Sequence, residues 1–438
     1  MSGIFQNQTS DFIIAVSIFI FSLVLVIKKP KGVGIGYSAL IGALITFLTG
    51  LTSLKDFIDV ISIVWNATLT FISIVIISLV FDEAGVFQYL SVKLLRLSRG
   101  NGKRLFILII LGGAFISAIF ANDGTALVMT PIIISVLYRA GLKGKTLLAY
   151  IMAVGFIADS ASIPLLVSNL VNIIAATYFG INFFPYMYVM LIPDLVSVGA
   201  SLLFLYLFFM KDIPEKVSTI VDFKDSEIKD PLIFKMFFPF ITVLIILYSV
   251  GGFLSVPVAV VSMPAAFFLL LLARQNGRIS YIKPVREAPW QIILFSIGMY
   301  IVVFAMANNG LTEAISGVLI YFSSFPYGLN YIFTGYLFAF TASIMNNLPS
   351  VLLGDLALQH AHMTGTILLT NAIGNDIGPK FTPIGSLATL VWLYMIERKG
   401  DFKISTVDYM KTGILVGIPV LTLTLLSLYL ESGLIVLH

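Results

Sequence analysis

Charge is scarce in this chain. Of 438 residues only 48 are charged, 26 Lys or Arg and 22 Asp or Glu, which is 11%, against about 25% in ordinary soluble domains. With 59% apolar residues and a mean hydropathy of +1.03, the chain has too little polar surface to face water. A large soluble enzyme is excluded, and no nucleic-acid partner is expected. Cysteine is absent altogether. Disulfides, thiolate metal ligands and thiol redox chemistry are therefore excluded. Histidine is nearly absent, with three residues. His360 and His362 fall in one expected loop without a third ligand, so neither a metal site nor a cofactor is expected. A serine-hydrolase reading of Asp159-Ser160 has no histidine base. Gly141 to Thr146 ends like a phosphate-binding loop, but Arg139 stands where its first glycine is required.

Long apolar runs dominate the remainder. They lie near 12–27, 33–51, 63–95, 105–138, 146–180, 185–210, 233–252, 256–273, 289–322, 331–359, 364–396 and 412–430. A straight crossing needs about 20 apolar residues. The longest runs must therefore break, tilt or fold back, and each carries Gly, Asn, Asp or Pro near its middle. Continuous runs do not fit a barrel, whose strands alternate. No basic residue precedes the first run, so 12–27 is expected as a retained span rather than a cleaved leader. The expected fold is an all-α polytopic membrane protein. It has about ten transmembrane helices plus two re-entrant helical hairpins, in two inverted repeats.

Basic residues set the topology. With the N-terminus outside and runs 105–138 and 331–359 treated as hairpins, 24 of the 26 Lys and Arg fall in cytoplasmic segments. Lys55 lies outside, and Lys380 lies within a run. The first repeat covers 1–210, with hairpin 105–138 and broken helix 146–180. A cytoplasmic linker covers 211–232. The second repeat covers 233–438, with hairpin 331–359 and broken helix 364–396. The halves match at Gly85 and Gly310, at Asn122 and Asn346, and at Pro164 and Pro383. The two hairpins enter from opposite sides. That is the inverted-repeat architecture of many secondary transporters.

Broken helices persist in hydrocarbon only where they line protein or water, and their free termini serve a solute. Four breaks carry the candidate chemistry. The tip of hairpin one is Ala121-Asn122-Asp123-Gly124-Thr125, and that of hairpin two is Asn346-Asn347-Leu348-Pro349-Ser350. A third break runs from Asp159 through Pro164 to Ser168-Asn169. The fourth runs from Asn375-Asp376 through Lys380 and Thr382 to Gly385-Ser386. Ionisable groups inside a membrane are functional candidates by default. Asp123, Asp159, Asp376 and Lys380 all sit at breaks and are the proton-coupling candidates. Asp376 and Lys380 are four apart, so a helical turn would pair them. Asp82, Glu83, Asp194, Glu313 and Asp355 are expected nearer helix ends or membrane interfaces.

At these breaks the sequence resembles the arsenite permease family of the ion transporter superfamily. The specific stretch is Gly378-Pro-Lys-Phe-Thr-Pro-Ile-Gly-Ser-Leu-Ala-Thr-Leu-Val-Trp392. Phe120 to Pro131, Met345 to Ser350 and Ser168 to Asn172 support it. The resemblance implies efflux of arsenite and antimonite in exchange for protons. It also implies elevator-like movement of a portion holding both hairpins. In some relatives a cytoplasmic arsenite-stimulated ATPase associates with the permease. A cell (inner) membrane location follows, with the linker cytoplasmic and a homodimer allowed. Without a thiol, the hydroxylated metalloid would be held by hydrogen bonds. Asn122, Gly124, Thr125, Asn346 and Asn347 would contact it from the tips, and Ser168, Asn169, Thr382, Gly385 and Ser386 from the other breaks. A sodium-coupled anion or carboxylate carrier, or a sodium/proton antiporter, is the alternative within the superfamily. An intramembrane enzyme would need a nucleophile and base that are not visible. A structural subunit would not need two matched breaks.

Overall fold

A computed structural model describes residues 2–219, 228–399 and 404–433, with side chains except at 2–9, 31, 123–128, 391, 394–395 and 398–399. Most of these residues are helical. The first half contains α1 (Ser2–Lys28), α2 (Ile35–Leu48), α3 (Leu54–Glu83), α4 (Val86–Leu97), α5 (Gly102–Ile119), α6 (Asn122–Arg139), α7 (Gly144–Ser160), α8 (Leu170–Tyr178) and α9 (Phe183–Phe209). The second contains α10 (Pro231–Phe253), α11 (Val258–Asn276), α12 (Ile282–Glu287), α13 (Trp290–Met306), α14 (Thr312–Ser323), α15 (Leu329–Met345), α16 (Asn347–His360), α17 (Thr370–Ile377), α18 (Leu387–Lys399) and α19 (Thr406–Ser432). Among the described residues, eight helices are long and apolar enough to cross a membrane. The β pairing recorded among them is one isolated bridge between Asn101 and Lys216.

Local chemistry explains where helices start and stop. Ser53 and Asp56 form a reciprocal capping box that opens α3, with Asp56 accepting from the Ser53 N–H at 2.6 Å. Asp230 caps α10 by accepting from Leu232 and Ile233, and Pro231 fits the first helical position because its missing N–H has no partner there. Gly85 has φ 95° and separates α3 from α4. Gly310 has φ 112° inside a five-residue π turn, Ala307–Leu311, that separates α13 from α14. Side chains rarely adopt such φ values, so glycine sets both breaks.

The order of elements recurs. In each half a long helix breaks at glycine and continues as a 12-residue helix. Two helices meeting at an asparagine follow, then two helices joined through 3-10 structure. A 27-residue helix with an internal proline, Pro193 or Pro419, closes each half. Packing between halves is reciprocal: α2 lies on α13 while α11 lies on α3, and α6 meets α18 while α16 meets α8. The register differs by two residues from the match between Pro164 and Pro383. The 3-10 turns Leu166–Ser168 and Pro383–Gly385 each directly precede a residue that opens a helix, so Leu166 stands where Pro383 does.

Two further expectations are corrected. Asp194 lies near the middle of α9 and Asp355 five residues before the end of α16, and both are buried. Asp82 and Glu83 do end α3, and Glu313 does lie in the first turn of α14.

Candidate functional site

The site forms where the two sets of broken helices converge. Asp159 and Asp376 each stand one residue from the end of a helix, α7 and α17. Beyond each, the chain passes through 3-10 turns before α8 and α18 begin. Each half thus places a buried carboxyl group at a helix end that leads into a 3-10 turn.

Lys380 and Asp376 do not pair as a helical turn would have them. Residues Gly378–Phe381 form a 3-10 turn, and this sends the Lys380 side chain across to the other half. Its Nζ lies 3.2 Å from Asp159 Oδ2, donates to the Phe156 carbonyl and sits 4.2 Å from the centre of the Phe156 ring. Lys380 is 1% exposed and Asp159 4%. Such a pair survives burial only when hydrogen bonds satisfy what the pair leaves over. Asn122 meets part of that need by donating to Asp159 Oδ1 at 3.0 Å.

Asp376 finds a partner in the opposite half as well. Asn169 caps α8 by accepting from the Val171 N–H at 3.1 Å. Its amide donates to Asp376 Oδ1 at 2.5 Å and to Ser162 at 3.2 Å. Asp376 Oδ2 and Asn122 Oδ1 are buried without a hydrogen-bond partner. Asp376 is within electrostatic reach of Asp159, Lys380 and Asp194. The cluster thus holds more buried carboxyl groups than cations.

Each hairpin tip is tied to the broken helix of its own half. In the first half Asn122 reaches Asp159, Ser168 donates to the Ala118 carbonyl and Ser117 donates to the Ala158 carbonyl. In the second half Asn346 donates to the Ile384 carbonyl at 3.2 Å. There, too, Thr382 donates to the Ser343 carbonyl at 2.5 Å, and Ser343 to the Gly378 carbonyl at 2.8 Å. Asn346 adopts φ 80° and caps α16 through the Leu348 N–H. Asn347 is buried as the first residue of α16. Gly385 packs against Pro379, where a Cβ would come within 2.6 Å of the Pro379 Cα. Ser386 is buried directly before α18. Asp123, Gly124 and Thr125 lie in the first turn of α6, and their side chains fall outside the described residues.

Asn122, Asp159 and Lys380 therefore form one connected cluster and Asn169 and Asp376 another beside it. Asn346 and Thr382 belong to the second tip. Sequence reasoning missed Asp194, whose carboxyl accepts from the Ile163 N–H beside this centre. It also missed Asn371, four residues before the Asn375 that opens the fourth break, although that spacing on α17 was readable.

Broken helices meeting around buried charge, with eight membrane-length helices among the described residues, define a membrane transporter. Comparison with known proteins identifies the kind. Residues 14–431 match the family model described as arsenical pump membrane protein. The arsenical pump membrane protein of Escherichia coli K12 is 44% identical over 96% of this chain and 99% of its own length. A putative arsenical pump membrane protein of Bacillus subtilis is 27% identical over 94% of this chain and 98% of its own. The chain belongs to the arsenical pump membrane protein family. Two solved transporters share the fold at 12% identity. The YdaH transporter of Alcanivorax borkumensis covers 86% of this chain and 87% of its own at TM-score 0.55, and MtrF of Neisseria gonorrhoeae covers 98% and 96% at TM-score 0.58.

Proposed function

We propose that this protein exports arsenite, and antimonite, from the cytoplasm in exchange for protons moving inward. Family membership over nearly the whole chain supports arsenical efflux. Proton coupling rests on one observation: the buried Lys380 pairs with Asp159, and the buried Asp376 beside them has no ion pair among the described residues. Both carboxyls ionised would leave an uncompensated negative charge in a dry site, which is strongly unfavourable. A proton on Asp376 removes that charge, so the site gains and loses a proton as its surroundings change. Asp123 remains a coupling candidate by its place at the tip.

The substrate reading follows from the donor set. With no cysteine in the chain, trivalent arsenic meets only hydroxyl, amide and backbone groups. A neutral hydroxylated metalloid suits Asn122, Gly124, Thr125, Asn346 and Asn347 at the tips. Ser168, Asn169, Thr382, Gly385 and Ser386 complete the proposed site. The two halves act as inverted repeats, with the N-terminus outside and the linker in the cytoplasm of the inner membrane. In elevator-like movement the hairpins and broken helices carry the site past α3 and α13. A second copy and a cytoplasmic ATPase are partners open to test by co-purification.

The experiment is efflux from cells that lack other arsenite exporters. Asn122→Ala and Asn346→Ala should each abolish efflux while the protein still inserts. Normal efflux by both variants would overturn the site assignment.

A further inference from the structure

A second buried carboxyl lies outside this centre. Asp355 is fully buried within α16, nine residues into a helix that opens at the second hairpin tip. Its Oδ1 accepts from Asn371 Nδ2 at 2.7 Å, and its Oδ2 has no hydrogen-bond partner. Among the described residues no Lys or Arg pairs with it. A buried carboxylate without a cation is costly, and a proton removes the cost.

Its surroundings give that proton a direction. One helical turn further along α16, Gln359 is exposed and accepts from the Tyr178 hydroxyl. In the other direction, Asn375 Nδ2 donates to Asn371 Oδ1 at 2.7 Å. Asn375 is next in sequence to Asp376. Asp355, Asn371 and Asn375 therefore form a hydrogen-bonded line that begins one helical turn from the exposed Gln359 and ends at the residue before Asp376. Gly354 makes room for it, since a Cβ there would meet Asn371 Oδ1 at 2.2 Å.

The other half has no such line. Val154 and Ala158 on α7 stand where Asn371 and Asn375 stand on α17, with Asp159 and Asp376 in register. Thr130 on α6 stands where Asp355 stands on α16, counting from Asn122 and Asn347. The second half thus places two asparagines where the first half places Val154 and Ala158.

We propose that Asp355 is a second proton-binding carboxyl, loaded from the outer face and positioned by Asn371 and Asn375. The proton comes from water at the outer surface onto Asp355 Oδ2 and leaves from the same atom to water once the moving helices face the cytoplasm, while the Asn371 and Asn375 amides hold the carboxyl and carry no proton. This rests on the proton coupling and orientation proposed above. α16 itself carries His360, and the elements packed on it carry Tyr178 on α8, Tyr300 on α13, Glu313 and Tyr321 on α14, Tyr331 and Tyr336 on α15 and Asp376 on α17. Lys and Arg are absent from the described stretches of these elements.

The test uses the full chain in proteoliposomes, with arsenite as probe. Uptake driven by a pH gradient is compared with exchange of labelled arsenite at equal pH on both sides. Asp355→Asn should lower gradient-driven uptake at least about tenfold, as loss of a proton-transfer group does, while arsenite still binds. Asp355→Glu should restore coupling. Equal loss of uptake and binding in Asp355→Asn, or full coupling in it, overturns the proposal. If that variant does not fold, infrared difference spectra on acidifying the wild-type protein should show a buried carboxylic-acid band that shifts in Asp355→Glu. An unshifted band overturns the proposal as well. Absence of gradient-driven uptake in the wild type would instead overturn proton coupling itself.

Discussion

Replacing Lys380 with Met isolates the contribution of the central ion pair. The lysine makes one ion pair, at 3.2 Å to Asp159, and both groups are sealed from solvent. Losing the cation strands Asp159 with Asn122 as its remaining donor, beside Asp376. Stranding one member of a buried pair costs about 3–5 kcal/mol. Asp159→Asn should cost a similar amount, because Lys380 keeps only the Phe156 carbonyl and ring. The double variant should recover much of the loss, giving a coupling energy of at least about 1.5 kcal/mol. Unfolding in mixed micelles, with urea or dodecyl sulfate as denaturant, measures all three. A solvent-screened pair would behave differently, at about 1 kcal/mol or less per variant. Single costs below about 1 kcal/mol that simply add would refute the idea that this pair joins the halves.

Other perturbations separate the site from its surroundings. Glu83 pairs with Lys283 at 2.5 Å and Lys229 at 3.2 Å, both lysines being about half exposed; Glu83→Gln should cost no more than about 1 kcal/mol in the same unfolding assay. Gly310→Ala forces a side chain to φ 112°; a stability loss of about 1–2 kcal/mol is expected, and circular dichroism melting checks it. Ser53→Ala removes the cap of α3 and should cost about 0.5–2 kcal/mol, read by the same melt. Asn169→Leu removes the donor to Asp376; arsenite efflux from cells should be lost while the protein still reaches the membrane.

Punctuation made much of the fold legible. Gly85, Gly310, Asn122, Asn346 and the prolines near 164 and 383 interrupt runs too long for one straight span, and each marks a helix boundary or lies between helices in the structure. The central charges were equally readable, since Asp159, Asp376 and Lys380 stand out against hydrocarbon. Their pairing was not. Lys380 turns toward Asp159 because the 3-10 turn at Gly378–Phe381 changes its direction, and sequence spacing of four assumes an α-helical turn. Asp355 escaped for a related reason. A lone acid near the end of an apolar run reads as a boundary, whereas Asn371 from the next helix lets it lie inside.

Arsenite accumulation in everted membrane vesicles, with a pH gradient imposed and sodium present or absent, tests the central claim most directly. An interior made acidic should drive uphill arsenite uptake that collapses when the gradient is dissipated, with or without sodium. Uptake that requires sodium, or that never exceeds equilibrium under the gradient, would contradict proton-coupled export.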